Sequence, residues 1–330
     1  MSSIAAAPTA GDAADPRPGS DDRPVGPVTC EYRPRTPIDL RQTLGILGRG
    51  TYDQTTIWDA KGVWRTFRTP VGPVTLRLEQ RPDGVDAAAW GPGAEWVIGG
   101  VPELLGAGDD WSALDVARYP FLAEVLRRRQ GMRLPRTRRV LEALAPAIIE
   151  QKVTSLEAYR EWARIVRWYG EIAPGVHEGF VPRDLRVCPS AHTLRHVPSW
   201  EWHRLGVDPN RSRTLVLASR SADSLERIVD DGGADAAAKL RTISGIGVWT
   251  AAETLQRSHG DPDQISLGDY GLSKTVGFAL TGSPTDDDGM LELLEPWAGQ
   301  RQRVVRLILA SGRAPARRAP RATITDHRWR

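Results

Sequence analysis

The chain has few cysteines, histidines and long apolar runs, and each shortage removes a class of function. Its 330 residues include two cysteines, Cys30 and Cys188, which stand far apart and form no CxxC or Cys/His cluster. That pattern excludes a four-cysteine iron–sulfur or zinc site and fits a reducing compartment. Nearly all of the six histidines are similarly isolated. No apolar run is long enough to span a bilayer, so no membrane partner is expected. The opening stretch MSSIAAAPTAGDAADP has neither the basic start nor the apolar core of a secretory leader, which points to the cytoplasm.

Forty per cent of the residues are hydrophobic, enough for two or three domains with cores. Residues 1–28 are rich in Ala, Pro, Gly and Asp and read as a disordered segment. Over 29–108 the signals are β-like. Val74, Leu76 and Leu78 alternate with Thr75, Arg77 and Glu79, the period of a half-buried strand. Val63–Thr69 reads as another strand, Pro82-Asp83-Gly84 as a turn, and 38–47 as a helix packed on the sheet. This is a small α+β domain. Residues 109–312 read as an all-α unit. Leu141, Leu144 and Ile148 recur at helical spacing, with Pro146 as a kink or boundary. Thr154 and Glu157 make a capping box that leaves Gln151-Lys152-Val153 in a loop. Leu156, Tyr159, Ala163 and Val166 would line the next helix's buried face, and further helices fit 211–218 and 221–229.

The net charge is only +3, but the basic residues are bunched. Nine arginines fall within 301–330, including the tail at 313–330, and seven more (Arg127, Arg128, Arg129, Arg133, Arg136, Arg138, Arg139) form a second cluster. Such stretches either neutralise phosphates or form a solvated basic face.

The most specific local feature is Leu240-Arg-Thr-Ile-Ser-Gly-Ile-Gly-Val-Trp-Thr-Ala251. An alanine-rich helix (234–243) runs into Gly245-Ile246-Gly247 and a second helix starts at once. Two glycines around one apolar residue make a tight turn that a ligand can approach closely. The first amides of the second helix lack intrahelical acceptors and point at an anion, while Ile246 pins the helices together. Gly245, Gly247 and Thr250 would then meet DNA phosphate without reading sequence. An ordinary αα-turn is the alternative.

On these residues the chain resembles the helix–hairpin–helix superfamily of base-excision DNA glycosylases, in particular the 3-methyladenine DNA glycosylase II, or AlkA-like, branch. The likeness covers roughly 110–312 well and 29–100 more weakly. Ser244 replaces the proline usual before the first glycine. The resemblance implies a mainly α, two-lobed glycosylase fold with a small N-terminal sheet domain, acting as a monomer on double-stranded DNA with damaged bases, in the nucleoid. It also implies residue roles. Asp269, about twenty residues beyond the hairpin in Ile265-Ser-Leu-Gly-Asp-Tyr-Gly-Leu-Ser-Lys274, matches the catalytic carboxylate, although an aspartate there also fits a helix cap. Trp249 and Tyr270 match aromatic base-pocket positions, and Glu253 stands where better-known members have an aromatic, free to hydrogen-bond a base or to pair with a basic residue. Gln151 and Lys152 match the segment that fills the gap left by a flipped nucleotide. No organic cofactor is implied; a monovalent cation would sit on the backbone carbonyls of Arg241, Ile243 and Ile246.

Cleaving an N-glycosidic bond builds positive charge on the sugar, which one fixed carboxylate can stabilise. Alkylated purines such as 3-methyladenine and 7-methylguanine leave already charged, so no second acid is needed. Bifunctional relatives carry a Schiff-base lysine two residues after the second hairpin glycine; here that residue is Trp249, so no lyase activity is expected. The competing readings are a glycosylase for oxidised purines and a non-catalytic binder of damaged DNA.

Overall fold

The computed structural model describes residues 26–316. Residues 1–25 of the expected disordered segment and 317–330 of the expected basic tail lie outside the described residues. The first region is a five-stranded antiparallel sheet of β1 (Val28–Tyr32), β2 (Thr56–Trp58), β3 (Gly62–Arg68), β4 (Pro73–Arg81) and β5 (Gly84–Trp90), in the order β1-β5-β4-β3-β2. The β4–β5 connection is the turn expected at Pro82-Asp83-Gly84. Helices α1 (Leu40–Leu44), α2 (Ala94–Gly99) and α3 (Val101–Leu104) cover one face, where Leu40, Leu44, Val97 and Val101 pack on Val74, Leu76, Leu78 and Phe67.

The alternation in β4 is real, but its polar face is not solvated. Thr75 and Arg77 are buried, as Leu76 and Leu78 are. The cover comes from residues 173–187, whose Ala173, Val181, Leu185 and Val187 pack on Trp64 and Trp90. Buried hydroxyls here are matched to carbonyls: Thr75 Oγ1 donates to Pro174 O (2.8 Å) and Thr66 Oγ1 to Arg186 O (2.7 Å). A short ribbon, β6 (Glu171–Ile172) with β7 (Arg186–Val187), frames this segment and interrupts the stretch expected to be all-helical.

The remaining elements are α4 (Pro120–Arg128), α5 (Val140–Ile149), α6 (Ser155–Tyr169), α7 (Ala191–His196), α8 (Ser199–Leu205), α9 (Pro209–Arg220), α10 (Ala222–Glu226), α11 (Gly233–Leu240), α12 (Val248–Ser258), α13 (Leu272–Thr281), α14 (Asp287–Leu294) and α15 (Arg301–Ser311). They build two lobes. Leu144, Ile148, Ile165, Leu215, Leu240 and Leu255 form the core of the first. The second joins distant parts of the chain, with Leu122 and Met132 packed among Val276, Leu294, Val304 and Ile308. Pro146 ends neither α5 nor its packing; the helix runs through it. At the start of α6 the Thr154 half of the expected capping box forms, its Oγ1 accepting the Glu157 amide at 3.3 Å. Of the face expected for α6 Val166 is buried as expected, but Leu156 is exposed, Tyr159 and Ala163 are half-buried, and Ala158, Glu161, Trp162 and Ile165 complete the buried face. The ionic partner of Glu161, Arg211, makes that burial tolerable.

Candidate nucleic-acid interface and active site

The hairpin is shaped by two glycines with different duties. Gly245 has φ +92°, and a Cβ there would stand 2.0 Å from Thr214 Oγ1 on α9, so only glycine fits. Gly247 is extended, and a Cβ on it would meet nothing within 4 Å. Ile246, between them, is 5% exposed and belongs to the first lobe's core. Among the described residues, the amides of Gly247, Val248 and Trp249 have no hydrogen-bond acceptor, as the start of an eleven-residue helix dictates. Positive potential therefore gathers at an exposed backbone turn, the usual arrangement for holding a phosphate.

The loop after α5 is tied to this turn. Gln151 Nε2 donates to the Gly245 carbonyl (2.9 Å) and to Thr250 Oγ1 (2.8 Å). Its side chain thus bridges loop and hairpin in this structure. Arg49, from the sheet region, holds Glu150 at 2.6 Å, and Arg211 Nη1 donates to the Ile149 carbonyl at 2.5 Å. With both flanks clamped, Lys152 projects exposed at φ +56°, a left-handed conformation that costs a non-glycine residue about 1 kcal/mol. Strain of this kind persists only where the surroundings impose it.

Asp269 lies in the irregular segment between α12 and α13. Its Oδ1 accepts the amides of Gly271 and Leu272, both at 2.9 Å, so it does cap α13. Capping uses one oxygen only. Among the described residues Oδ2 accepts no hydrogen bond, and the residue is half-buried. Capping and chemistry are therefore compatible at one side chain, since the amides fix the carboxylate while leaving an oxygen for a ligand.

Trp249 is half-buried, and Tyr270 is 87% exposed with Lys274 Nζ 4.3 Å above its ring centroid. A cation already seats on that ring face, as its quadrupole favours. Glu253 is committed elsewhere: Oε2 receives Arg257 Nη1 at 2.7 Å and Oε1 receives the Ser266 hydroxyl at 2.5 Å. Burial pushes its pKa up, but Arg257, Ser266 and Arg49 outweigh burial and hold the carboxyl below its usual value.

No protein-family model matches the chain. Over 157 residues, 46% of its length, it is 31% identical to a probable bifunctional transcriptional activator/DNA repair enzyme AlkA of Mycobacterium tuberculosis. The match covers 30% of that relative, so the chain spans about a third of it. Its fold matches a 3-methyladenine DNA glycosylase from Archaeoglobus fulgidus with a TM-score of 0.69 at 16% identity, over 85% of this chain and 97% of the other. The two chains therefore share a fold. An 8-oxoguanine glycosylase/lyase of Clostridium acetobutylicum, solved with DNA containing cytosine opposite 8-oxoguanine, shares the fold too, with a TM-score of 0.65 at 12% identity over 86% and 97% of the two chains.

Within this fold, five arginines of the second cluster have acidic partners. Arg127 and Arg128 pair with Glu124, Arg136 and Arg138 with Glu103, and Arg139 with Glu226. Glu124 lies on the same helix as its two partners, whereas Glu103 and Glu226 come from distant parts of the chain. The two cysteines are free, and burial raises the pKa of each, most strongly for the enclosed Cys188. No group of His, Cys, Asp or Glu among the described residues could hold a metal ion. At the hairpin the Ile243 carbonyl accepts only the Ile246 amide (3.0 Å) and those of Arg241 and Ile246 accept none among the described residues, so all three retain lone pairs. No helix among them is long and apolar enough to cross a membrane. Sequence reasoning missed Arg49, Thr214, Arg211 and Ser266, which act across the fold and carry no local signature.

Proposed function

We propose that this protein is a monofunctional DNA glycosylase that hydrolyses the N-glycosidic bond of alkylated purines, 3-methyladenine and 7-methylguanine, in duplex DNA. The observation that carries this reading is the divided carboxylate of Asp269, one oxygen capping α13 and the other free. The hairpin amides bind phosphate, the Gln151-Lys152 loop occupies the space left by the extruded nucleotide, and that nucleotide enters the pocket beside Trp249 and Tyr270. Electron-rich rings favour cationic bases by about 0.5–2 kcal/mol per contact. As the glycosidic bond breaks, the free Asp269 oxygen stabilises the positive charge growing on the sugar and orients the attacking water. With Trp249 where a lyase holds its lysine, no covalent enzyme–DNA adduct forms.

The expected result is release of 3-methyladenine or 7-methylguanine from methylated duplex, leaving an abasic site, with no adduct trapped by borohydride. Trapped adduct would replace this reading with a bifunctional one. Binding of damaged duplex without release of any alkylated, deaminated or oxidised base would replace it with a non-catalytic one.

The hairpin supplies a paired prediction. Gly245→Ala forces a left-handed alanine into Thr214, which costs at least about 1–2 kcal/mol and shows as a lowered Tm. Gly247→Ala meets only open space, so Tm should hold while duplex affinity falls, because the added methyl stands between the amides and the phosphate. Unchanged affinity in Gly247→Ala, measured by fluorescence anisotropy, would remove the hairpin from the DNA interface.

A further inference from the structure

The segment that carries Asp269 has no regular structure from Ile265 to Gly271, yet it is held at several points from different elements. Ser266 is 5% exposed, and its hydroxyl is a relay on α12: it accepts Gln256 Nε2 at 2.9 Å and donates to Glu253 Oε1 at 2.5 Å. Gln256 Nε2 also donates to the Gln264 carbonyl at 3.1 Å. The Ser266 carbonyl in turn accepts the Asp269 amide at 3.2 Å. Behind Glu253 stands Arg257, which donates to it and, through Nε, to the Ile46 carbonyl of the sheet region at 3.1 Å. A chain of contacts therefore runs from the sheet region through α12 to the backbone of Asp269. On the far side the Gly268 amide reaches Asp287 at the start of α14 (2.6 Å).

We infer that Glu253 and Ser266 are positioning residues, a strut that sets the placement of the Asp269 carboxylate, and that Glu253 does not contact the flipped base. The inference rests on the reading of Asp269 as the reacting carboxylate. Both oxygens of Glu253 are engaged, so a base could use neither without displacing Arg257 or Ser266. Its position also fits this duty. Glu253 lies one helical turn beyond Trp249 on α12, and Arg257 one turn further, so the three side chains share a face. A carboxylate there can tie Arg257 and Ser266 together; an aromatic ring could not.

A loop that loses its tie samples positions about 1 Å away, and a misplacement of that size costs about 100-fold in rate. Ser266→Ala, which deletes one hydroxyl, should slow single-turnover release of 7-methylguanine by about 10–100-fold. The Kd for duplex containing a stable abasic-site analogue should stay within about twofold, because no DNA-facing group has changed. Ser266→Thr, which keeps the hydroxyl, should recover most of the rate. Glu253→Ala should behave like Ser266→Ala, and the double variant should be no slower than the slower single, since both cut one link. Amide hydrogen exchange supplies a readout that needs no activity. Exchange across 266–272 should rise at least about tenfold in Ser266→Ala, with the hairpin amides unaffected.

Unchanged exchange over 266–272, or release at the wild-type rate, would overturn the strut. So would a Glu253→Ala variant that binds substrate weakly but releases base at the normal single-turnover rate, which would return Glu253 to the pocket. If the wild-type protein releases no base from any substrate, the glycosylase reading fails. Faster exchange in Ser266→Ala would then still support the strut as the device that orders the Asp269 segment.

Discussion

Asp269→Asn should abolish base release, by about 1000-fold or more, while leaving both the fold and DNA affinity nearly intact. The structure makes this substitution unusually informative. Asp269 caps α13 by accepting two backbone amides on one oxygen, and an asparagine carbonyl oxygen accepts them equally well. Asn and Asp are close equivalents as helix caps, so the stability change should stay within a few tenths of a kcal/mol. Only the negative charge is lost. Neutralising a group that faces developing charge in a site shielded from water costs about 10²–10³-fold, and loss of a general base a further 10²–10⁴-fold. On the proposed reading the two roles fall on one carboxylate. Single-turnover release from methylated duplex, beside anisotropy on an abasic duplex and a melting curve, separates the three quantities. If Asp269→Asn releases base at the wild-type rate, Asp269 is a cap and nothing more. Asp269→Ala is a poorer probe because it removes charge and cap together.

How far the sequence disclosed this site depends on whether each contributor is local. The hairpin was legible because its parts are contiguous: two glycines, a buried Ile246 and the first amides of α12 require no distant partner to be understood. Asp269 was legible as a carboxylate ahead of a helix, though its division into a capping and a free oxygen was not. Glu253 could be read as a base contact or as one half of an ion pair, and only the fold, by bringing Ser266 back against α12, chose the second. The sheet shows the same limit. Alternation in β4 gave the strand but implied a wet outer face, and the cover arrives from residues a hundred positions away. Charge was the least legible property. Arg136, Arg138 and Arg139 look like a phosphate-binding run, yet Glu103, Asp230 and Glu226 pair with them. In α6 a charged residue at a core position disguised the buried stripe. Glu161 reads as surface, and only Arg211 explains why it is inside.

That buried pair gives the largest expected effect on stability. Arg211 is 4% exposed and Glu161 2%, and the guanidinium donates to both Glu161 oxygens, at 2.6 and 3.3 Å. It also pairs with Asp208 and donates to the Ile149 carbonyl. Burial lifts the Glu161 pKa to about 7 against the opposing pull of Arg211. The folded protein thus holds this proton more tightly than the unfolded chain, whose Glu161 titrates near 4.5. The sign follows: the contribution of Glu161 is full below about pH 4.5 and is lost as pH rises through about 7. Arg211→Met removes the partner and leaves Glu161 to be buried alone, a loss of about 3–5 kcal/mol when it is charged. Near pH 8 this should lower Tm by about 10 °C, with a smaller loss near pH 5.5, where Glu161 takes up a proton. Adding Glu161→Leu should restore most of the stability, because two apolar side chains substitute for a buried ion pair at little cost. The Ile149 carbonyl would remain without its donor even then. Arg211 therefore joins stability to function: the double variant should melt near the wild-type temperature yet show faster amide exchange over 150–153 and weaker binding of abasic duplex. A double variant with wild-type exchange in that loop would show that Arg49 and Gln151 suffice to hold it.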